Sequence, residues 1–244
     1  YMDCDFLVTI SDALKEILIE VFNLPENKII MIPNGVTIPE VQDDKHNDST
    51  DDLRIGFCGK VSEWQKLDLL IETIATLKNS GMEICVDIVG DGPHLPYLKS
   101  MVETKCYQDW VKLRGLVAPN EVPKYLDLFD IGYSRPAESL SGKMYLSPLK
   151  IYEYLANGIP LLAGHYPDAV NLVEESKAGF LFDPDNLENL KETIRIVYEN
   201  RDSLSKKGMI GRQCIKENHT WTHRVQQMLE IILPQLEKKY GKII

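Results

Sequence analysis

The sequence predicts a doubly wound α/β fold, a parallel sheet with helices on both faces, and three observations carry that prediction. Short apolar runs of strand character alternate with segments of helical spacing along nearly the whole chain, which implies parallel pairing through right-handed crossovers. Gly, Pro and Asn punctuate the places where a strand hands over to a helix. With 44% apolar and 26% charged residues over 244 positions, the chain can bury one large core and the edge of a second. It shows no fixed-period repeat, which sets aside a solenoid.

Taken in order, Asp5 to Ile10 reads as a strand, and Ser11 as the N-cap of a helix with Leu14, Ile17, Leu18 and Val21 at helical spacing. Lys28 to Ile32 is the next strand, closed by the turn Pro33-Asn34-Gly35. Glu40 to Asp52 (EVQDDKHNDSTDD) is acidic and polar without an apolar period, as a solvated linker is. From Leu53 the alternation is regular. RIGFCGK is a buried strand, Asp68 to Lys78 an amphipathic helix, and ICVDIVG a second strand ending in Gly90-Asp91-Gly92-Pro93. A helix from Leu95 to Val102, a strand at WVKLRG, a short helix from Asn120 to Leu128 and a strand at DIGYS follow. Then come a helix from Pro148 to Ala156, a strand at PLLAG, a helix near Val170, a short strand at GFLF and three C-terminal helices.

The formal net charge of -10 argues against a general nucleic-acid surface, since phosphate backbones are held by net basic faces. Cys4, Cys58, Cys85, Cys106 and Cys214 are odd in number and widely spaced. They form neither CxxC pairs nor clusters with the five histidines, so neither zinc nor a disulfide framework is expected, and Cys58 and Cys85 read as small buried hydrophobes. No apolar run is long enough to span a bilayer and the first residues lack a signal-peptide layout, which makes a cytoplasmic setting the expectation. The chain starts at Tyr1 and runs straight into DFLVTI, as a piece cut from something longer would.

In a doubly wound sheet, ligands bind where loops converge at the carboxyl ends of the strands. The first such loop has Gly59 at a strand end, Lys60 beside it and Lys66 just before a helix. Gly allows close backbone approach to an anion, a helix N-terminus adds partial positive charge, and lysines supply point charges for phosphate; the alternative is two solvated surface lysines. The second loop, VGDGP, is not a dinucleotide fingerprint, because Leu95 stands where a third Gly is needed. Gly90 and Gly92 either let the loop pass close to a ligand or turn the chain. In SPLKIYEYLANG, Ser147 is the expected N-cap, Pro148 the first helical residue and Gly158 the stop. Lys150 has the wrong sign for a helix N-terminus, a conflict that either a bound anion or a side chain extended into water removes. Glu153 could offer two acceptor oxygens to vicinal ribose hydroxyls, or be an ordinary surface Glu.

The order and spacing of these segments resemble the C-terminal domain of the GT-B-fold retaining glycosyltransferases of the group-one family. The likeness rests on VTISDALK, IIMIPNGV, GFCGK...K, VDIVGDGP, RGLVAPNEVPKYL, DIGYSRP, SPLKIYEYLANGIPLLA, GFLF and a final helical segment beginning at HTW. The resemblance implies a Rossmann-like sheet that binds a nucleotide diphosphate sugar as donor substrate, without cofactor or essential metal. It places Lys60 and Lys66 on the pyrophosphate and Glu153 on the ribose. Amides around Leu149 meet the phosphates, and Arg114 and Val117 flank the base. It also implies a division into residues 1–36, the tail of an N-terminal acceptor domain, an acidic linker 37–52, the donor domain 53–218, and a returning helix 219–244. The acceptor, a glycan, lipid-linked or small molecule, would belong to the N-terminal domain. A full-length enzyme would act in the cytoplasm or at the inner membrane face, in polysaccharide or glycoconjugate synthesis.

Two positions depart from the family pattern. Tyr145 stands where the first glutamate of the E-x7-E motif is expected, with Glu138 in the preceding loop as a substitute, and Leu67 stands where Gly usually follows the second lysine. The stripe Val225, Met228, Leu229, Ile232 and Leu236 on the last helix reads as domain packing. The rival readings are a non-catalytic nucleotide-sugar-binding module and an NAD-dependent oxidoreductase, against which the missing third glycine speaks.

Overall fold

A computed structural model describes residues 4–40, 52–135 and 147–241. Six parallel strands form the main sheet: β3 (Leu53–Cys58), β4 (Ile84–Val89), β5 (Val111–Gly115), β6 (Ile131–Ser134), β7 (Leu161–Gly164) and β8 (Gly179–Phe182). Their order is β5-β4-β3-β6-β7-β8. A separate two-stranded parallel sheet is made by β1 (Leu7–Thr9) and β2 (Ile29–Met31), joined through α1 (Asp12–Glu20). The strand expected over Asp5 to Ile10 shrinks to three residues because its partner, β2, offers only three in register.

The crossovers of the main sheet carry α2 (Leu67–Lys78), α3 (Leu95–Thr104), α4 (Val122–Leu126), α5 (Leu149–Ala156) and α6 (Pro167–Ser176), followed by α7 (Leu187–Glu199), α8 (Leu204–Asn218) and α9 (Trp221–Tyr240). Strands inside a parallel sheet are covered on both faces, and all six residues of β4 are buried accordingly. The core divides by face. One cluster joins Ile71 and Ile74 of α2, Leu98 of α3 and Ile194 of α7 to Ile55, Phe57 and Ile88 of the sheet. The other joins Ile151 and Leu155 of α5, Ala169 of α6 and Ile215 of α8 to Leu161 and Ala163.

The last helix ties the two sheets together. Val36 forms a parallel bridge with Thr220, and Arg224 Nε donates to the Asn34 carbonyl at 3.1 Å. At the far end Lys239 pairs with Asp5, and the Tyr240 hydroxyl donates to the same carboxylate at 3.2 Å. Of the apolar stripe on α9, Met228, Ile232 and Leu236 are half-buried and Val225 and Leu229 exposed, while Arg224 is the buried residue of the helix.

Candidate functional site

The chain reverses direction across the sheet at β3. From it, β4 and β5 are laid down on one side and β6, β7 and β8 on the other, which is the switch point where such sheets open a crevice. The ladder between β3 and β6 is short, pairing Ile55 with Ile131 and Gly56 with Gly132. Beyond it the strands part, and the Cys58 N–H donates to the Tyr154 hydroxyl of α5 at 2.8 Å. That bond seats α5 over the gap. The helix that carries Lys150 and Glu153 therefore lies against the end of the strand that carries Gly59 and Lys60.

The loops after β3 and β4 are locked to each other. Val61 N–H donates to Asp91 O at 2.9 Å, and His94 N–H returns to Val61 O at 3.2 Å. Gly90 has φ +132°, and a Cβ there would lie 1.9 Å from the Gly59 oxygen; one on Gly92 would lie 2.2 Å from the Val61 oxygen. At φ +132° Gly90 turns the chain, one of the two readings held open for these glycines. Among the described residues, what comes close to both is the backbone of the neighbouring loop.

Lys60 is exposed at the end of β3, and Lys66 is half-buried at the start of α2. Among the described residues neither side chain carries an ion pair or hydrogen bond. Lys66 adopts the left-handed conformation, φ 48° and ψ 43°, while Leu67 begins the helix and is fully buried. The position that a glycine fills with least strain is therefore 66, one residue earlier than the family pattern suggested. Its neighbour Gln65 is buried, accepts from the Tyr133 hydroxyl through its carbonyl at 3.2 Å, and keeps its side-chain Oε1 without a partner.

Ser147 is not the N-cap of α5. Its hydroxyl donates to Asp168 at 2.6 Å and its carbonyl accepts from Asn34 Nδ2 at 2.7 Å, so it fastens the segment before the helix to α6 and to the residues after β2. Pro148 occupies the cap position and offers no side-chain acceptor. The first-turn amides, at Leu149 and after, are left with nothing from the capping residue, which is the arrangement of an anion site. Lys150 does not extend into water either. Its Nζ lies 4.2 Å from the centre of the Phe57 ring and 5.8 Å from that of Trp64. Burial pushes the amine down to about 7, against the pull of Cys58 and Glu153. Glu153 stands at the surface end of the same cluster; desolvation raises its carboxyl above the usual range, and Lys150 opposes the rise.

Arg114 does not face a base freely. Its Nε and an Nη donate to the two oxygens of Asp87 at 2.6 and 2.9 Å, Arg54 donates to the same carboxylate at 3.0 Å, and the Arg114 guanidinium lies 5.6 Å from the Tyr125 ring. Asp87 is fully buried in the centre of β4 and went unread in the sequence, although a lone acid inside the apolar run ICVDIVG is the signal for it. Val117 packs at the edge of the second core cluster. Glu138, Tyr145 and most of the acidic linker lie outside the described residues.

The expectation that no cysteine clusters with a histidine is corrected by α6 and α8, which bring Glu175, Cys214 and His219 within 4.8 Å of one another. Arg224, which can only donate, bonds His219 Nδ1 at 2.6 Å, so the ring proton sits on Nε2 and donates to Glu175 at 2.9 Å. A histidine ligand needs the opposite arrangement, with a bare nitrogen toward the metal and the other ring N–H donating to an acceptor behind it, where Arg224 stands here. The triad is a hydrogen-bonded junction between α6, α8 and α9.

With this geometry in hand, the profile of the group 1 glycosyl transferases matches residues 52–200, and the chain belongs to that family. Its fold is that of the Rossmann-like C-terminal half of a GT-B enzyme. Among curated relatives, it is 24% identical over 221 residues to the putative colanic acid biosynthesis glycosyltransferase WcaL of Escherichia coli, covering 91% of this chain and 54% of the relative. It is 25% identical over 156 residues to a GDP-mannose-dependent phosphatidylinositol monomannoside mannosyltransferase of Mycobacterium tuberculosis, covering 63% and 40%. The chain thus spans about half the length of such relatives. Among solved structures, S. aureus TarM superimposes with a TM-score of 0.76 at 18% identity, over 94% of this chain and 44% of TarM. Anabaena HepE, crystallised with UDP and glucose, gives 0.73 at 18%, over 93% and 62%. No helix among the described residues is long and apolar enough to cross a membrane.

Proposed function

We propose that this chain is the donor-binding domain of a retaining glycosyltransferase, holding a nucleotide diphosphate sugar in the crevice between β3 and β6 for transfer to a glycan, lipid-linked or small-molecule acceptor. The observation that carries the reading is the meeting, at the end of β3, of an α5 N-terminus without a side-chain cap and a buried amine, Lys150, that forms no ion pair among the described residues. Lys60 and Lys66 border the same strand end without ion pairs. As the glycosidic bond breaks, charge gathers on the leaving diphosphate, and fixed ammonium groups and amide dipoles aimed there favour the transition state. The relatives named for colanic acid and phosphatidylinositol mannoside synthesis support a place in polysaccharide or glycoconjugate assembly. No cofactor or metal enters this reading.

Thermal unfolding of the chain with UDP, GDP, ADP and NAD tests it. A ligand at one hundred times its Kd stabilises by about 2.7 kcal/mol, a shift of roughly 5–10 °C for a domain of this size. One nucleoside diphosphate should produce such a shift, and Lys60→Ala and Lys66→Ala should each reduce it. A shift with NAD alone would favour an oxidoreductase. In the intact parent protein Lys66→Ala should lower kcat substantially, and unchanged kcat and KM would remove that lysine from the reaction.

A further inference from the structure

Lys150 is an unusual place to keep a positive charge. As a residue it is half-buried, and its amine end is the enclosed part, folded beneath Gly59, where a Cβ would lie 3.7 Å from Nζ. Phe57 of β3 and Trp64 of the β3–α2 loop present their rings to it. The titratable groups facing it are the Cys58 thiol at the end of β3 and the Glu153 carboxylate one turn along α5. Neither holds it by an ion pair, and burial lifts the Cys58 thiol to about 11, which leaves that neighbour uncharged at neutral pH. Lys150 also stands in the first turn of α5, where the helix dipole opposes a cation. Ring faces attract an ammonium by about 0.5–2 kcal/mol, too little to replace its lost water.

We propose that Lys150 makes occupancy of this site proton-linked: at mildly alkaline pH the amine is largely neutral in the empty crevice and takes up a proton when the diphosphate of a nucleotide arrives at the start of α5. This rests on the donor-site reading above and adds its regulation. An anion at the α5 N-terminus favours the charged amine against its burial, because it offsets the helix dipole and gives the ammonium a charged acceptor. The amine's value near 7 in the free protein sets the window. Below about pH 6 the lysine is charged before and after binding, so Lys150 takes up no proton. At pH 8 it is neutral before and charged after, so close to one proton is taken from buffer and affinity weakens as pH rises.

Titration calorimetry of the 244-residue chain with UDP, GDP and ADP at pH 8, in HEPES and in Tris, reads proton uptake from the difference in heat between the buffers. The free nucleotide does not contribute, since its terminal phosphate, with a pKa of about 6, is already ionised. The wild type should take up close to one proton at pH 8 with the nucleotide it binds. Lys150→Met should abolish the uptake and weaken binding at pH 6.5 about tenfold, the loss of one charge-assisted contact. Lys150→Arg, which stays charged, should bind without uptake and without the decline toward pH 8. Binding with no proton uptake by the wild type, or uptake that survives Lys150→Met, overturns the proposal and leaves the donor site standing. Failure of all three nucleotides to bind overturns both.

Discussion

Asp87 shows how one residue can organise a strand edge. A carboxylate at 0% exposure in the middle of β4 is tolerable only if paired, and it receives three hydrogen bonds from Arg54 and Arg114. Replacing it with Ala should cost about 3 kcal/mol in urea denaturation, the low end for a broken buried pair because both guanidiniums keep some access to water. Restoration of stability by Asp87→Glu would be partial, since the longer side chain must be accommodated between packed strands. His219 gives a second residue-scale expectation. Desolvation is the main cause holding its pKa below 6.5, with Arg224 adding to it against the pull of Glu175. A depressed value means that stability is full above pH 6.5 and is lost as pH falls from there toward the folded value, because the unfolded chain takes the proton first. Denaturation at pH 8 and pH 5.5 should show this drop, and His219→Gln should reduce it.

At the scale of elements, the strand and helix patterns were readable because each is local. Ser11 caps α1 as expected, accepting from Leu14 N–H at 3.2 Å, within three residues of itself. Ser147 was misread because its partner, Asp168, lies 21 residues away on another helix and outcompetes the local amides for the hydroxyl. The surroundings of Lys150 were hidden for the same reason, since Phe57 and Trp64 reach it from more than eighty residues upstream. Gly90 and Gly92 were recognisable as necessary, but only the structure shows that the β3 loop is what they accommodate. Gly90→Ala sets a Cβ into the Gly59 carbonyl at a φ that L-residues avoid, so it should cost about 3 kcal/mol and shift both loops. Loss of nucleotide binding with little loss of stability would show instead that the loops separate easily. Ser11→Ala should cost about 1 kcal/mol, read by urea denaturation.

Over the whole molecule, alternation alone foretold a parallel doubly wound sheet, and that is what forms. The sequence did not reveal how the two sheets are coupled, since the couplings join residues nearly two hundred positions apart. α9 is bonded at its start to Asn34 and Val36 and at its end to Asp5, with Pro234 between. Pro234 brings no N–H to the helix and its ring crowds the carbonyl one turn back, so α9 is weakest in bending there. A rigid strut would transmit any rotation of the β1–β2 unit straight to the core. A strut with one soft joint converts the same rotation into local curvature, so movement at the Asp5 end leaves in place the bonds that hold Asn34 to Ser147 beside the crevice.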